Sequence, residues 1–230
     1  MDNIFCFIIE NGINTSYINS LIVALFLKKT NTEKMIYEDT HDTTDVSIYY
    51  IQEMIKSKFI DNIRNNRSIE LKTVNEIRNL CYFCGWKEKF DLLSLFNVND
   101  FYIFLIKQMD IHHYNCCHFM LEPEEITIET SITELAQCIN FSKVEEDDYI
   151  SFYINRKNNR KIDIMKAFKV GKKRYINSIV CFSDRYYALI KIDNQWYYFD
   201  DTYIPSIRPI NINLIRDKIK QECILVFYSN

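Results

Sequence analysis

The spacing of apolar residues changes character about halfway along the chain. Before that point it runs mostly at helical intervals. Residues 17–29 place Ile18, Leu21, Ile22, Leu25 and Phe26 on one stripe, and residues 46–64 do the same with Ile48, Ile51, Ile55 and Phe59. Residues 74–83 predict another helix, ending near Gly85 as helices closed by a left-handed glycine do. The triplet Asn97, Val98, Asn99 reads as a cap for a helix over 100–109, after an apolar run over 90–96. Residues 3–9 read as a short buried strand, and 30–45 and 65–68 are polar breaks.

After about His112 the period shortens to two. Residues 125–130, 149–155, 175–182, 186–192, 195–199 and 224–228 predict strands, as does 161–169, with a short helix over 131–138. Residues 156–161 read as a basic hairpin loop, and Asp193-Asn194 is a good two-residue hairpin turn. The expected class is α+β. A helical N-terminal lobe (1–111) packs on an antiparallel β-rich C-terminal lobe (112–230) within one domain spanning 1–230.

Composition narrows the function classes. Three glycines argue against phosphate-cradling Gly-rich loops, and a net charge of −3 gives no whole-chain electrostatic case for nucleic acid or an anionic membrane. The start MDNIFCFIIE lacks the basic region of a signal peptide, and the longest apolar run is too short to span a bilayer. Eight scattered cysteines without such a signal point to a reducing, intracellular, cytoplasmic setting. Heavy use of Ile, Asn, Lys and Tyr suggests an AT-rich genome such as that of a large DNA virus, with the host cytoplasm or virion as location.

Candidate chemistry begins at residues 11–16. Asn11, Gly12, Asn14, Thr15 and Ser16 form a turn that runs straight into an apolar helix. Thr15 or Ser16 is suited to cap that helix, and the Ser16 hydroxyl lies among free amides at a positive helix end. Hydrolases place nucleophiles in such settings, because amides there stabilise developing negative charge.

This stretch, Asn11-Gly12-Ile13-Asn14-Thr15-Ser16-Tyr17-Ile18-Asn19-Ser20, resembles the cysteine box of the ubiquitin-specific proteases, with Ser16 where that family has its catalytic Cys. Residues 185–201 are similar to the family's histidine box at Tyr186, Ala188, Trp196, Tyr197, Phe199, Asp200 and Asp201. There Arg185 stands at the general-base His position and Asp184 at the preceding Gly. Residues 100–105 resemble the family's Gln-Asp-Ala-x-Glu-Phe-Leu helix, without its Glu at Ile103, and 224–228 resemble its closing strand. The resemblance implies a papain-like fold with reduced fingers over roughly 112–153. It makes Asn11 the former oxyanion donor and Asp200 the former orienter of the imidazole.

A serine hydroxyl needs a positioned base, and a guanidinium stays protonated. The expectation is therefore a pseudoenzyme with no catalytic residues, in which Arg185 pairs with Asp200 or Asp201 and fills the imidazole's space. Ser16 is read as a helix cap, Asn11 as a possible plain turn residue, and Trp196, Tyr197 and Phe199 as packing. The function so implied is that of an interaction or scaffold subunit, such as one tied to a virion or transcription complex. Its partner is a protein of unknown identity, with ubiquitin or a ubiquitin-like protein a candidate, and no nucleic acid or membrane. The alternative is an active or weakly active isopeptidase using Ser16 or a displaced base.

No cofactor or metal is expected. Cys81 and Cys84 have zinc-knuckle spacing, and Cys116, Cys117 and His118 would complete a ligand set. The first pair, however, falls in an apolar helical window, where buried cysteines act as small hydrophobes. Cys116 or Cys117 as a nucleophile beside His112, His113 or His118 would need a cleft that no motif indicates. The basic run from Lys166 to Arg174, with Arg156, Arg160 and Lys161 upstream, reads as a solvated hairpin rim, with a local patch for an acidic partner as the alternative.

Overall fold

The computed structural model describes residues 6–30, 33, 37, 46–87, 94–108, 116–121, 129–131, 149–156, 161–165, 168–170 and 172–229. The predicted helix over 131–138, the loop tip at 157–160, His112, His113 and most of the segment read as reduced fingers lie outside the described residues.

The helices are α1 (Ser16–Phe26), α2 (Val46–Met54), α3 (Asp61–Arg64), α4 (Leu71–Phe83), α5 (Val98–Gln108) and α6 (Arg216–Glu222). A π-helical stretch, Ile55–Ile60, joins α2 to α3, so the single helix expected over 46–64 is continuous but locally widened to i→i+5 bonding. Every residue of α1 is buried. The stripe read from its sequence is therefore only the most apolar side of a helix enclosed all round, including Ser16, Asn19 and Ser20.

Two helix ends behave as their sequences dictate. Gly85 takes φ of 86°, letting its amide and that of Trp86 reach back to the carbonyls of Tyr82 and Cys81 and close α4. Asn97 caps α5, its Oδ1 accepting from the Asn99 amide at 2.8 Å.

The strands are β1 (Cys116–Leu121), β2 (Glu129–Ser131), β3 (Tyr149–Ile154), β4 (Lys161–Asp163), β5 (Phe168–Val170), β6 (Lys172–Phe182), β7 (Tyr186–Ile192), β8 (Gln195–Phe199), β9 (Ile207–Ile210) and β10 (Cys223–Ser229). The main sheet has the order β1-β3-β10-β6-β7-β8-β9, with β5 pairing β6 outside that path. It is antiparallel except at its β1–β3 edge, and β2 and β4 form a separate parallel pair. β3 and β4 lie in different sheets and do not pair, so the two strands do not form the hairpin expected there. The strand expected over 3–9 is, in its described part, a single bridge between Ile9 and Ile69. The β7–β8 hairpin matches its prediction, with Asp193 in the left-handed region at φ of 53°.

The chain packs as two layers against the sheet. On one face α1 lies across β7 and β6, and Ser178 donates a 2.7 Å hydrogen bond to the Ala24 carbonyl. On the other, α6 covers a smaller apolar cluster around Ile179, Leu189, Ile219 and Val226. Among the described residues no helix is long and apolar enough to cross a membrane.

The Cys116–His118 segment is the start of a sheet-edge strand. The Ser151 hydroxyl lies 2.8 Å from His118 Nδ1 and 3.1 Å from the Tyr102 hydroxyl, and the His118 ring meets Tyr102 edge-on. Burial pulls the imidazole pKa down to about 4 from 6.5. The unfolded chain thus binds this proton first, and stability falls as pH drops from about 6.5 towards 4, by at most about 3 kcal/mol. Urea midpoints at several pH values should show this loss, and His118→Gln should flatten it.

Candidate functional site

The loop before α1 is stapled in place. Thr15 Oγ1 accepts from the Gly12 amide at 2.9 Å, and Asn14 sits at φ of 52°. A Cβ on Gly12 would come within 2.5 Å of Leu71 Cδ1, so a larger residue there would have to push the tip of that leucine aside. Arg78, from α4, donates to the Ile13 carbonyl at 2.8 Å. The local chemistry of the turn is as expected, but the cap is not. The Thr15 side chain turns back to Gly12, and Ser16 is the first helical residue, its Oγ accepting from the Tyr186 amide at 3.3 Å.

Arg185, in the turn between β6 and β7, reaches across from the sheet to this loop. Its Nη2 donates to Asn11 Oδ1 at 3.0 Å and also bonds Asp201 Oδ1. Asp200 is more distant, with 3.8 Å from Arg185 Nε to its Oδ1. The reason is local. Asp200 Oδ1 already accepts from the Thr202 amide (3.0 Å) and hydroxyl (2.6 Å), and Oδ2 from the Tyr198 hydroxyl (3.3 Å). Asp200 therefore shapes the turn after β8, and Asp201 is the direct partner of the guanidinium.

Asp201 has a fully buried side chain, and its Oδ2 accepts from Asn19 Nδ2 at 2.7 Å. Burial pushes its carboxyl up from the ordinary value, while the Asn19 hydrogen bond and the Arg185 charge pull it back. Asn19 is the residue that sequence reasoning missed. Its only signal was a polar side chain one turn after Ser16 in an otherwise apolar helix.

The structure thus brings Asn11, Ser16, Asn19, Arg185, Asp200 and Asp201 together where α1 meets β7. Ser16 is 2% exposed. The one histidine among the described residues, His118, is engaged with Ser151 on the β1–β3 edge. Arg185 lends Ser16 no basicity. Beside the site, a cavity of about 660 Å³ lies between the start of α5 and the sheet, lined in part by Asn97, Tyr153, Phe182, Ser183 and Tyr186.

Among the described residues no group of three or more His, Cys, Asp or Glu could hold a metal. Cys81 is wholly buried in α4, and burial pushes its thiol up.

No family model and no curated protein matches the chain. Solved structures do. One is the Saccharomyces cerevisiae apo Pan2 pseudoubiquitin hydrolase–RNA exonuclease module in complex with AAUUAA RNA, with a TM-score of 0.61 and 11% identity. Another is the same module with AAGGAA RNA, with a TM-score of 0.65 and 9% identity. The fold is ubiquitin-hydrolase-like. In each case the match covers 99% of this chain and 54% of the other, so the chain spans about half the length of these neighbours.

One expectation is overturned here. A nucleic-acid partner was excluded on net charge, yet both neighbours are in complex with RNA. Net charge averages regions of opposite sign. In this chain, residues 156–174 hold nine Lys or Arg against one Asp, leaving nineteen basic and thirty acidic residues elsewhere.

Proposed function

We propose that the chain is a non-hydrolytic, deubiquitinase-like module that serves as an interaction scaffold. Ser16 and Arg185 then stand at the positions of a cysteine nucleophile and its histidine base. The observation that carries this reading is the placement of Arg185. Its guanidinium bridges Asn11 and Asp201, next to a serine whose oxygen is engaged with the Tyr186 amide.

Acyl transfer at this point would need three things: a group to take the serine proton, a donor for the oxyanion, and access for a carbonyl. The guanidinium cannot take a proton, and Ser16 is enclosed, which leaves acyl transfer without its base and without access. The same contacts that remove chemistry hold the two layers together, which suits a scaffold. The pseudoubiquitin hydrolase name of the solved neighbours supports the reading, and their assembly with an exonuclease and RNA supports a role inside a larger machine.

The test is incubation with a fluorogenic ubiquitin C-terminal conjugate. Release should stay at the buffer rate and be unchanged by Ser16→Ala. Turnover that Ser16→Ala abolishes would replace this reading with that of a serine isopeptidase.

A further inference from the structure

Strands β6 and β10 set two cysteines opposite one another. Cys181 and Cys223 are direct partners in the antiparallel ladder, and both side chains enter the apolar cluster under α6, with Tyr187 and Ile219. They therefore project from the same face of the sheet at the same rung. Both are wholly buried, and both are free thiols.

The backbone at this rung brings them closer than an ordinary pair. Opposed residues of an antiparallel ladder either exchange two backbone hydrogen bonds or exchange none, and in the second kind the Cα atoms approach to about 4.5 Å. Cys223 does not fit the first kind. Its amide donates to the Ile219 carbonyl of α6, and its carbonyl accepts from Arg156 Nε at 2.6 Å. A bulge at Ile224, just past the rung, also frees this end of β10 from the next pairing. A disulfide spans Cα separations of about 4.4–6.8 Å, so the pair stands within reach of a bond.

The surroundings suit the chemistry. Burial pushes both thiols up, Cys223 to about 12 and Cys181 well above its ordinary value, but the Arg156 guanidinium pulls each back, since a neighbouring cation favours thiolate. Cys223, whose carbonyl Arg156 holds, is the better placed to attack. The Tyr187 hydroxyl hydrogen-bonds the Cys181 thiol and donates to Glu222 Oε2 at 2.8 Å, which gives a proton a path outward. Glu222 and Arg156 line the cavity of about 660 Å³, together with Phe182 and Ile224, the residues that follow the two cysteines. A small oxidant in that cavity meets the wall beside the pair.

We propose that Cys181 and Cys223 form an oxidation site, which hydrogen peroxide closes to a disulfide. The Cys223 thiolate attacks one peroxide oxygen, the O–O bond breaks, and hydroxide leaves and takes up a proton as water, so that Cys223 becomes a sulfenic acid. The Cys181 sulfur then attacks the sulfenic sulfur. The S–O bond breaks, and the hydroxyl leaves with the Cys181 proton as a second water. Two thiols thus give up two electrons, and one peroxide becomes two waters. The closed loop, 181–223, carries Arg185, Asp200 and Asp201, so the bond fastens the sheet side of the Ser16 cluster to β10. The chemistry does not depend on how that cluster is read.

The test exposes the reduced, folded full chain to excess hydrogen peroxide, blocks the remaining thiols and maps linked peptides by mass spectrometry. Cys181–Cys223 should be the main cross-link within the chain, and dithiothreitol should reverse it. Closing a loop of roughly 40 residues should raise the melting temperature by about 5–10 °C. Cys181→Ala and Cys223→Ala should each abolish that rise, and the peptide map of the parent decides the matter even if those variants fail to fold. Recovery of both cysteines as thiols after prolonged exposure, or as sulfinic or sulfonic acids without a link, would overturn the proposal. So would preferential linkage of either one to another cysteine. A link that lowers the melting temperature would do the same, because it would form only by distorting the ladder.

Discussion

Arg185→Ala is expected to destabilise the protein by about 3 kcal/mol at pH 7, a large share of the stability of an ordinary domain. The loss comes from what is left behind. Asp201 is enclosed between α1 and the turn after β8, and without the guanidinium it keeps the hydrogen bond from Asn19. An uncompensated buried carboxylate costs several kcal/mol; the partial exposure of Arg185 lets water approach and holds the figure at the low end.

The effect should depend on pH in a definite direction. Asp201 already has its carboxyl pKa raised above 3.8 in the intact fold. Removing the neighbouring cation raises it further, so the folded variant binds a proton that the unfolded chain has released. Stability of the variant relative to the parent therefore improves as pH is lowered from 7 towards the ordinary carboxylate range near 4. Comparing the two proteins at each pH cancels the opposite trend from His118. Denaturant melts that gave a pH-independent cost, or one that grew on acidification, would contradict the pairing.

Phe101→Ala should cost about 4 kcal/mol. Phe101 is fully buried in α5 and meets Tyr17 of α1 at 5.1 Å and Trp86 at 5.2 Å between ring centroids, both edge-on. It is one of the ring contacts between the helix beginning at Ser16 and α5, and truncation leaves a cavity walled by rigid rings that close poorly over it. A loss in urea stability below about 1 kcal/mol would mean that the helical layer repacks freely.

What could be read from the sequence was mainly local. The β7–β8 hairpin follows from Asp193-Asn194 between alternating runs, the end of α4 from Gly85, and the start of α5 from Asn97. Each depends on residues within a few positions of one another. The α+β class and the meeting of Asn11, Ser16, Arg185 and the Asp200–Asp201 pair were legible because short motifs carried them.

The rest rests on distant partners. Asn19 is a buried hydrogen-bond donor only because Asp201 arrives from 182 positions away. Residues 116–121 invite a metal-site reading, yet they form a strand because β3 supplies a parallel ladder. β9 contains Pro209, which argues against a central strand, and it survives at the sheet edge where a missing amide donor is tolerated. α6 is a short charged helix whose single buried residue, Ile219, gives too little period to see.

The most direct test of a silent Ser16 is its reactivity towards a fluorophosphonate, which labels serines activated by a neighbouring base. Peptide mapping by mass spectrometry after prolonged exposure of the folded protein should find Ser16 unmodified. An adduct at Ser16 that forms in the native protein and disappears on denaturation would contradict the account, because it would require a free base beside Ser16, whereas the carboxylates of Asp200 and Asp201 are taken by Thr202, Tyr198, Asn19 and Arg185.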